Sequence, residues 1–284
     1  MRLVVVSGMS GSGKSVAIRL LEDIGYYCID NLPSQFLTDV CAYLSANGHP
    51  EVAVSVDVRS EGPMAQLPGV LSVLRSFGYD VRVLFLTSST NALVQRFSET
   101  RRRHPLSRDL TVEGREPTLE ESIREERERL APIDALGHVI DTSDLPASTL
   151  RQWVRAFVDG PRSDLTLAFE SFAFKNGIPV AADLVFDVRN LPNPHYDARL
   201  RPLTGLDAPV AEMLASLPES RAMIDDIAAF ISRWLPSYMQ DARNYLTVAI
   251  GCTGGQHRSP YVVEQLARRF GKERVLVRHR VLDR

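Results

Sequence analysis

Residues 8–15 read Gly8-Met9-Ser10-Gly11-Ser12-Gly13-Lys14-Ser15 and fit the pattern G-x-x-x-x-G-K-[ST] at every fixed position. That spacing is suited to holding a polyphosphate. Glycines let consecutive backbone N–H groups turn inward around phosphate oxygens, a lysine reaches the terminal phosphates, and a hydroxyl ligates Mg²⁺. The apolar run Leu3–Val6 precedes the loop. After it, Ala17, Leu20, Leu21 and Ile24 fall at i, i+3, i+4, i+7, with Gly25 placed to end a helix. Strand, loop and helix in that order are the context the motif requires, with the helix N-terminus adding partial positive charge. Lys14 is the residue expected to act on the β and γ phosphates and Ser15 to hold the metal. A second metal contact is expected from an aspartate at a neighbouring strand end, and Asp57, closing Val52–Val56, fills that description.

Several other residues have two readings each. Asp30 ends the run Cys28-Ile29 and either lines an acceptor pocket or caps a turn. Arg101, Arg102 and Arg103 either stabilise a transferring phosphoryl group or simply close a helix in solvent. The polar stretch from Arg101 to Pro117 has the composition of a lid. No Asn-Lys-x-Asp run occurs, so a Ras-type GTPase is excluded.

A second anion-binding arrangement follows the buried run Leu246–Ile250. The residues Gly251-Cys252-Thr253-Gly254-Gly255-Gln256-His257-Arg258-Ser259 lead into a helix, with Ser259 as its expected N-cap and Pro260 as N1. The loop also spells Cys-x5-Arg-Ser, the spacing of cysteine phosphatases, in which backbone N–H groups and an arginine grip a phosphate. It therefore reads as a binding loop, as a tight turn around a buried cysteine, or as a nucleophilic site at Cys252. Asp187 and His195 follow another strand and are expected at the same sheet edge. The last 17 residues carry seven positive and two negative side chains, a net of +5 in a chain whose total is −2. Lys272, Arg278 and Arg280 there either contact a nucleic-acid backbone or form a solvated end.

The elements that must position these residues alternate strand and helix. Strands are expected at Leu3–Val6, Tyr26–Ile29, Val52–Val58, Val81–Leu86 and His138–Ile140, then at Leu165–Phe169, Leu184–Val188, Leu246–Ile250 and Val275–Val277. Thr118 and Glu121 form a capping box that starts a charged helix over Glu120–Leu130. Further helices are expected near Val210–Leu217, Ala222–Leu235 and Pro260–Phe270. The segment Asp159–Asp164 is the linker between domains 1–160 and 161–284. The fold class is α/β: a kinase-like P-loop domain on a parallel sheet, then a second α/β domain with its own phosphate-binding loop. No apolar run approaches the ~20 residues of a membrane span, and a signal peptide is not expected, which places the chain in the cytoplasm. Three cysteines without a CxxC pair argue against a disulfide framework or a structural zinc site.

Over nearly its whole length the chain also resembles the RapZ/YvcJ family of bacterial P-loop proteins. The residues that carry the likeness are Gly8–Ser15, Tyr27–Pro33, Asp57-Val58-Arg59, Phe169–Phe172, Phe186–Arg189, Leu191–His195, Arg201–Leu206 and Gly251–Ser259, in the family's order. The resemblance implies a homo-oligomeric regulatory protein that binds and slowly hydrolyses ATP and GTP with Mg²⁺, the guanine nucleotide contacted at Asp57, Val58, Arg59 and Ser60. It implies a C-terminal domain that binds glucosamine-6-phosphate through Asp187, His195, Cys252, Thr253, Gly254, Gly255 and Arg258. It further implies presentation of RNA to an endoribonuclease. The chain departs from the enterobacterial members at its end, where arginine replaces a lysine-rich tail. Three rival readings remain open: a small-molecule P-loop kinase, a cysteine-dependent phosphatase at Cys252, and a pure RNA adaptor whose P-loop is vestigial.

Overall fold

The computed structural model describes residues 1–58, 66–107, 116–134, 136–160, 165–240, 245–271 and 274–283, the side chains of 240 and 274 excepted. The chain divides into two compact units, Met1–Val158 and Asp159–Arg284.

In the first unit, apolar runs too short for helices become strands. These are β1 (Arg2–Gly8), β2 (Tyr27–Ile29), β3 (Glu51–Ser55), β4 (Asp80–Thr87) and β5 (His138–Asp141). They form one parallel sheet in the order β2-β3-β1-β4-β5. Parallel pairing requires a crossover between successive strands. The helices α1 (Lys14–Asp23), α2 (Leu37–Ala46), α3 (Leu67–Ser76), α4 (Thr90–Thr100) and α5 (Leu119–Asp134) supply it, and α6 (Ala147–Asp159) follows β5. β1 lies at the centre, so Leu3 to Val6 are fully buried, as a strand covered on both faces must be. The α5 capping box forms reciprocally: Thr118 N–H donates to Glu121 Oε2 at 2.8 Å and Glu121 N–H to Thr118 Oγ1 at 3.2 Å. Where the sequence suggests a strand to Val58, β3 stops at Ser55, because the chain must turn there to bring Asp57 to the sheet edge.

The second unit repeats the plan on a smaller scale. Its parallel strands β6 (Thr166–Ala173), β7 (Leu184–Asp187), β8 (Tyr245–Cys252) and β9 (Arg274–His279) take the order β7-β8-β6-β9. Helices α7 (Ala208–Ser216), α8 (Pro218–Gln240) and α9 (Arg258–Arg269) accompany them. Phe169, Val248, Val262 and Leu266 are fully buried in the core they share. Among the described residues, no helix is long and apolar enough to cross a membrane.

Candidate functional site

β1 ends at Gly8 and α1 begins at Lys14, leaving five residues to make the turn. The N-cap, Gly13, has no side chain to accept from the first-turn amides of α1. Those donors, with the helix dipole, remain available to an anion. Lys14 Nζ donates to Gly8 O at 2.7 Å and Met9 O at 3.2 Å, so its ammonium lies across the loop. Ser12 closes the turn from inside, its N–H and its hydroxyl both donating to Met9 O, at 3.1 and 2.7 Å.

Other elements hold the loop from outside. Arg96 of α4 donates to Gly11 O at 3.0 Å and to Thr142 Oγ1 at 3.1 Å. The Thr142 hydroxyl lies 3.0 Å from both Ser12 O and Thr87 O. From α5, the fully buried Glu126 carboxylate accepts the Ser10 N–H at 2.9 and 3.1 Å and the Ser10 hydroxyl at 2.7 Å. Burial alone would raise the Glu126 pKa. Hydrogen bonds from His104 and Ser10 and the charge of Lys14 outweigh it and hold the group below its ordinary 4.5.

A cavity of about 460 Å³ opens over the loop, lined by Ser10, Gly11, Gly13, Lys14, Ser15, Asp57, Arg96, Arg102 and Arg103 among others. The structure thus brings together the loop, the strand-end aspartate and two of the three consecutive arginines. Ser15 presents an exposed hydroxyl there, and Asp57 is 1% exposed. Among the described residues no cluster of three or more His, Cys, Asp or Glu could hold a metal unaided. One hydroxyl and one carboxylate beside a phosphate pocket is the donor set Mg²⁺ uses, the rest coming from phosphate oxygens and water. Arg101 takes φ 52° as the C-cap of α4 and does not line the cavity. Asp30 also lies off it. Its Oδ1 accepts the Ser55 hydroxyl, whose oxygen accepts the Asn31 N–H at 2.7 Å, so the turn-cap is the geometry present. Val58 packs against the apolar core; Arg59 and Ser60 lie outside the described residues, as does 108–115 of the expected lid.

In the second unit the Gly-rich loop joins β8 to α9. Cys252 is 2% exposed, and its Sγ accepts the Gly255 N–H at 3.2 Å and the Ser259 hydroxyl at 3.2 Å. Arg258 is 4% exposed. It donates to Arg189 O at 2.6 Å, Leu191 O at 3.0 Å and Thr253 Oγ1 at 3.3 Å, while its Nε has no partner. Gly254 has open space around its Cα. The expected cap is corrected. α9 starts at Arg258 with His257 as N-cap, because the Ser259 hydroxyl is turned inward to Cys252 and Phe172 O. Asp187 pairs with Gly251 in the β7–β8 register and is gripped by Arg189 at 2.7 Å, which with its backbone contact lowers its pKa. The exposed His195 ring stands 6.2 Å from that of His257. Both residues therefore flank the loop.

Truncating Arg258 would orphan the Arg189 and Leu191 carbonyls. Arg258→Ala is expected to destabilise the second unit by about 2–4 kcal/mol, read by chemical denaturation; an unchanged midpoint would show that the turn does not depend on it. The arginines expected on a nucleic-acid backbone are corrected too. Arg278 is 2% exposed and its pKa is lowered to about 10, burial being the main cause. Arg280 is 5% exposed and ion-paired with buried Glu170 at 3.1 Å. Arg278 lies in β9 and Arg280 directly follows the strand's end at His279; neither guanidinium faces solvent. Lys272 lies outside the described residues.

Fold and site together define a P-loop α/β protein joined to a second parallel α/β unit with its own glycine-rich loop. Residues 1–162 match the model of the RapZ-like N-terminal domain, and residues 165–283 match that of the RapZ C-terminal domain. The chain belongs to the RapZ family. A relative in Bordetella pertussis, named a nucleotide-binding protein, is 58% identical over 99% of this chain and 97% of its own. Proteins of the same description from Herminiimonas arsenicoxydans (56%, covering all of both chains) and Burkholderia cenocepacia (55%, covering 99% and 94%) are similar throughout. Among solved structures, a Bacteroides thetaiotaomicron shikimate kinase overlaps 55% of this chain and 98% of its own at 14% identity, with a TM-score of 0.37.

Proposed function

We propose that this chain binds a nucleoside triphosphate with Mg²⁺ in the cavity over residues 8–15 and hydrolyses it slowly, as the nucleotide-responsive part of a regulatory protein. The observation that carries this reading is the convergence of Lys14, Ser15, Asp57, Arg102 and Arg103 on one cavity above uncapped α1 amides. Either ATP or GTP fits such a site, since a phosphate loop grips the phosphate chain and leaves the base unread. Lys14 would neutralise the terminal phosphates, Ser15 and Asp57 would hold the metal, and the metal, when bound, would offset charge on the leaving phosphate.

A second reading concerns the other unit and rests on one buried donor without a partner, Arg258 Nε, beside a loop open at Gly254. Buried unpaired donors are rare and fit a phosphate-bearing ligand. We assign the loop to a phosphorylated amino sugar, flanked by Asp187, His195, Cys252, Thr253, Gly254, Gly255 and Arg258. The burial of Cys252 speaks against a phosphatase, because an attacking sulfur must reach phosphorus. An RNA-adaptor role would use a surface other than Arg278 and Arg280. A thermal-shift titration of the full chain tests the assignment. A nucleotide and glucosamine-6-phosphate should each raise the midpoint, and their effects should appear separately in the Lys14→Ala and Arg258→Lys variants. A chain indifferent to every phosphorylated compound would contradict it.

A further inference from the structure

His104 and Glu126 belong to no motif, yet both are buried beside the phosphate loop, at 4% and 0% exposure. Leu106 N–H donates to His104 Nδ1 at 3.2 Å. That leaves Nε2 as the protonated ring nitrogen, and it lies 3.1 Å from Glu126 Oε2. The same carboxylate accepts the Ser10 N–H and hydroxyl. A buried carboxylate is tolerated only when its lone pairs are taken up by donors, and here they come from two separate segments. One is the phosphate loop. The other begins at His104, directly after Arg102 and Arg103, which line the cavity. Both arginines are exposed side chains; among the described residues Arg103 is ion-paired with the exposed Glu116 at 3.4 Å. Their placement over the loop therefore depends on the backbone that carries them, and that backbone is anchored next door by His104.

We infer that His104 and Glu126 are positioning residues that tie the arginine-bearing segment to the phosphate loop, so that Arg102 and Arg103 meet the terminal phosphate and the site favours a triphosphate over a diphosphate. This deepens the nucleotide-binding reading and rests on it. The loop amides and Lys14 serve any polyphosphate. The arginines add contacts that only the additional phosphate can use, and fixing a fork of donors in advance strengthens such contacts. Neither His104 nor Glu126 touches the ligand.

Calorimetric titration of the full-length chain with ATP and with ADP, magnesium present, tests this. The wild type is expected to prefer ATP. His104→Ala should lower that preference about tenfold while ADP affinity stays within about threefold. His104→Gln, whose side-chain amide reaches where Nε2 sits, should restore it, and His104→Asn, whose amide falls short, should not. Glu126→Ala, which releases the loop as well, should weaken both nucleotides. The exposed double variant Arg102→Ala/Arg103→Ala removes no buried group and should lose the ATP preference with its unfolding midpoint unchanged. A wild type that binds ATP and ADP equally, or a double variant that keeps the preference, overturns the proposal. If neither nucleotide binds the wild type, the nucleotide-binding reading itself has failed.

Discussion

Replacing Lys14 by alanine is expected to weaken triphosphate binding about a hundredfold, or about 2.7 kcal/mol, since truncating one partner of a charge-assisted contact typically costs 2–5 kcal/mol. In the unliganded fold the half-buried ammonium gives up its bonds to Gly8 O and Met9 O, and its charge no longer acts on Glu126. Bonds from a charged donor are worth about 1.5–3 kcal/mol each when buried, less in a half-exposed position. Ligand linkage makes the effect visible. At a hundred times its dissociation constant a nucleotide stabilises the folded state by about 2.7 kcal/mol, which for a domain of this size raises the unfolding midpoint by about 5–10 °C. In the variant the same concentration sits near the new dissociation constant, and the rise falls to about 1 °C. A full thermal response in Lys14→Ala would place the nucleotide elsewhere.

Gly8→Ala should have the largest effect on stability in the first unit. A Cβ at Gly8 would lie 2.0 Å from Leu86 O and 2.7 Å from Leu86 N, and the backbone there has φ +136°, a region L side chains rarely adopt. The atoms in the way belong to β4, which is bonded to β1 on both sides of the contact: Gly8 pairs with Leu86 and Met9 N–H donates to Leu86 O at 3.0 Å. No rotamer can relieve such a clash, so the two central strands must separate. A loss above about 4 kcal/mol follows, a large fraction of the ~5–15 kcal/mol that a folded domain has. Gly69→Ala is the matched comparison. It sits inside α3 with nothing within 4 Å of its added carbon, and it should be neutral or stabilising by up to about 1 kcal/mol. Equal midpoints for the two variants would contradict the close approach of β1 and β4.

How far the site could be read from the residues depends on whether each signal is local. The phosphate loop was legible because its chemistry is consecutive in the chain. Asp57 was legible because strand ends in a parallel sheet meet at one edge. Strand–helix alternation sufficed for both sheets, since short β-branched runs between amphipathic helices admit little else. The supports of the loop were not legible, because they pair across the chain: Glu126 lies 116 residues from Ser10, and Thr142 lies 130 from Ser12. One signal for Glu126 was present. It falls on the stripe formed by Ser122, Ile123, Leu130 and Ile133, all buried, and a carboxylate on the buried face of a helix demands partners. Arg278 and Arg280 show the reverse. Counting charge near the chain end suggests a solvent-facing patch, whereas Arg278 is buried within β9 and Arg280, just beyond the strand, donates to Glu170. Net charge reports how many ions a segment carries, and within a strand the pleat decides which way they face. The N-cap of α9 was misplaced for a related reason: Ser259 has the side chain of a cap, but its hydroxyl is taken by Cys252.

The most direct test of the nucleotide assignment is isothermal titration of MgATP and MgGTP into the full-length protein. Saturable heat from at least one of them, fitting one site per chain and vanishing when Lys14 is replaced, is the expected result. A flat titration with both nucleotides, on protein shown to be folded, would contradict it.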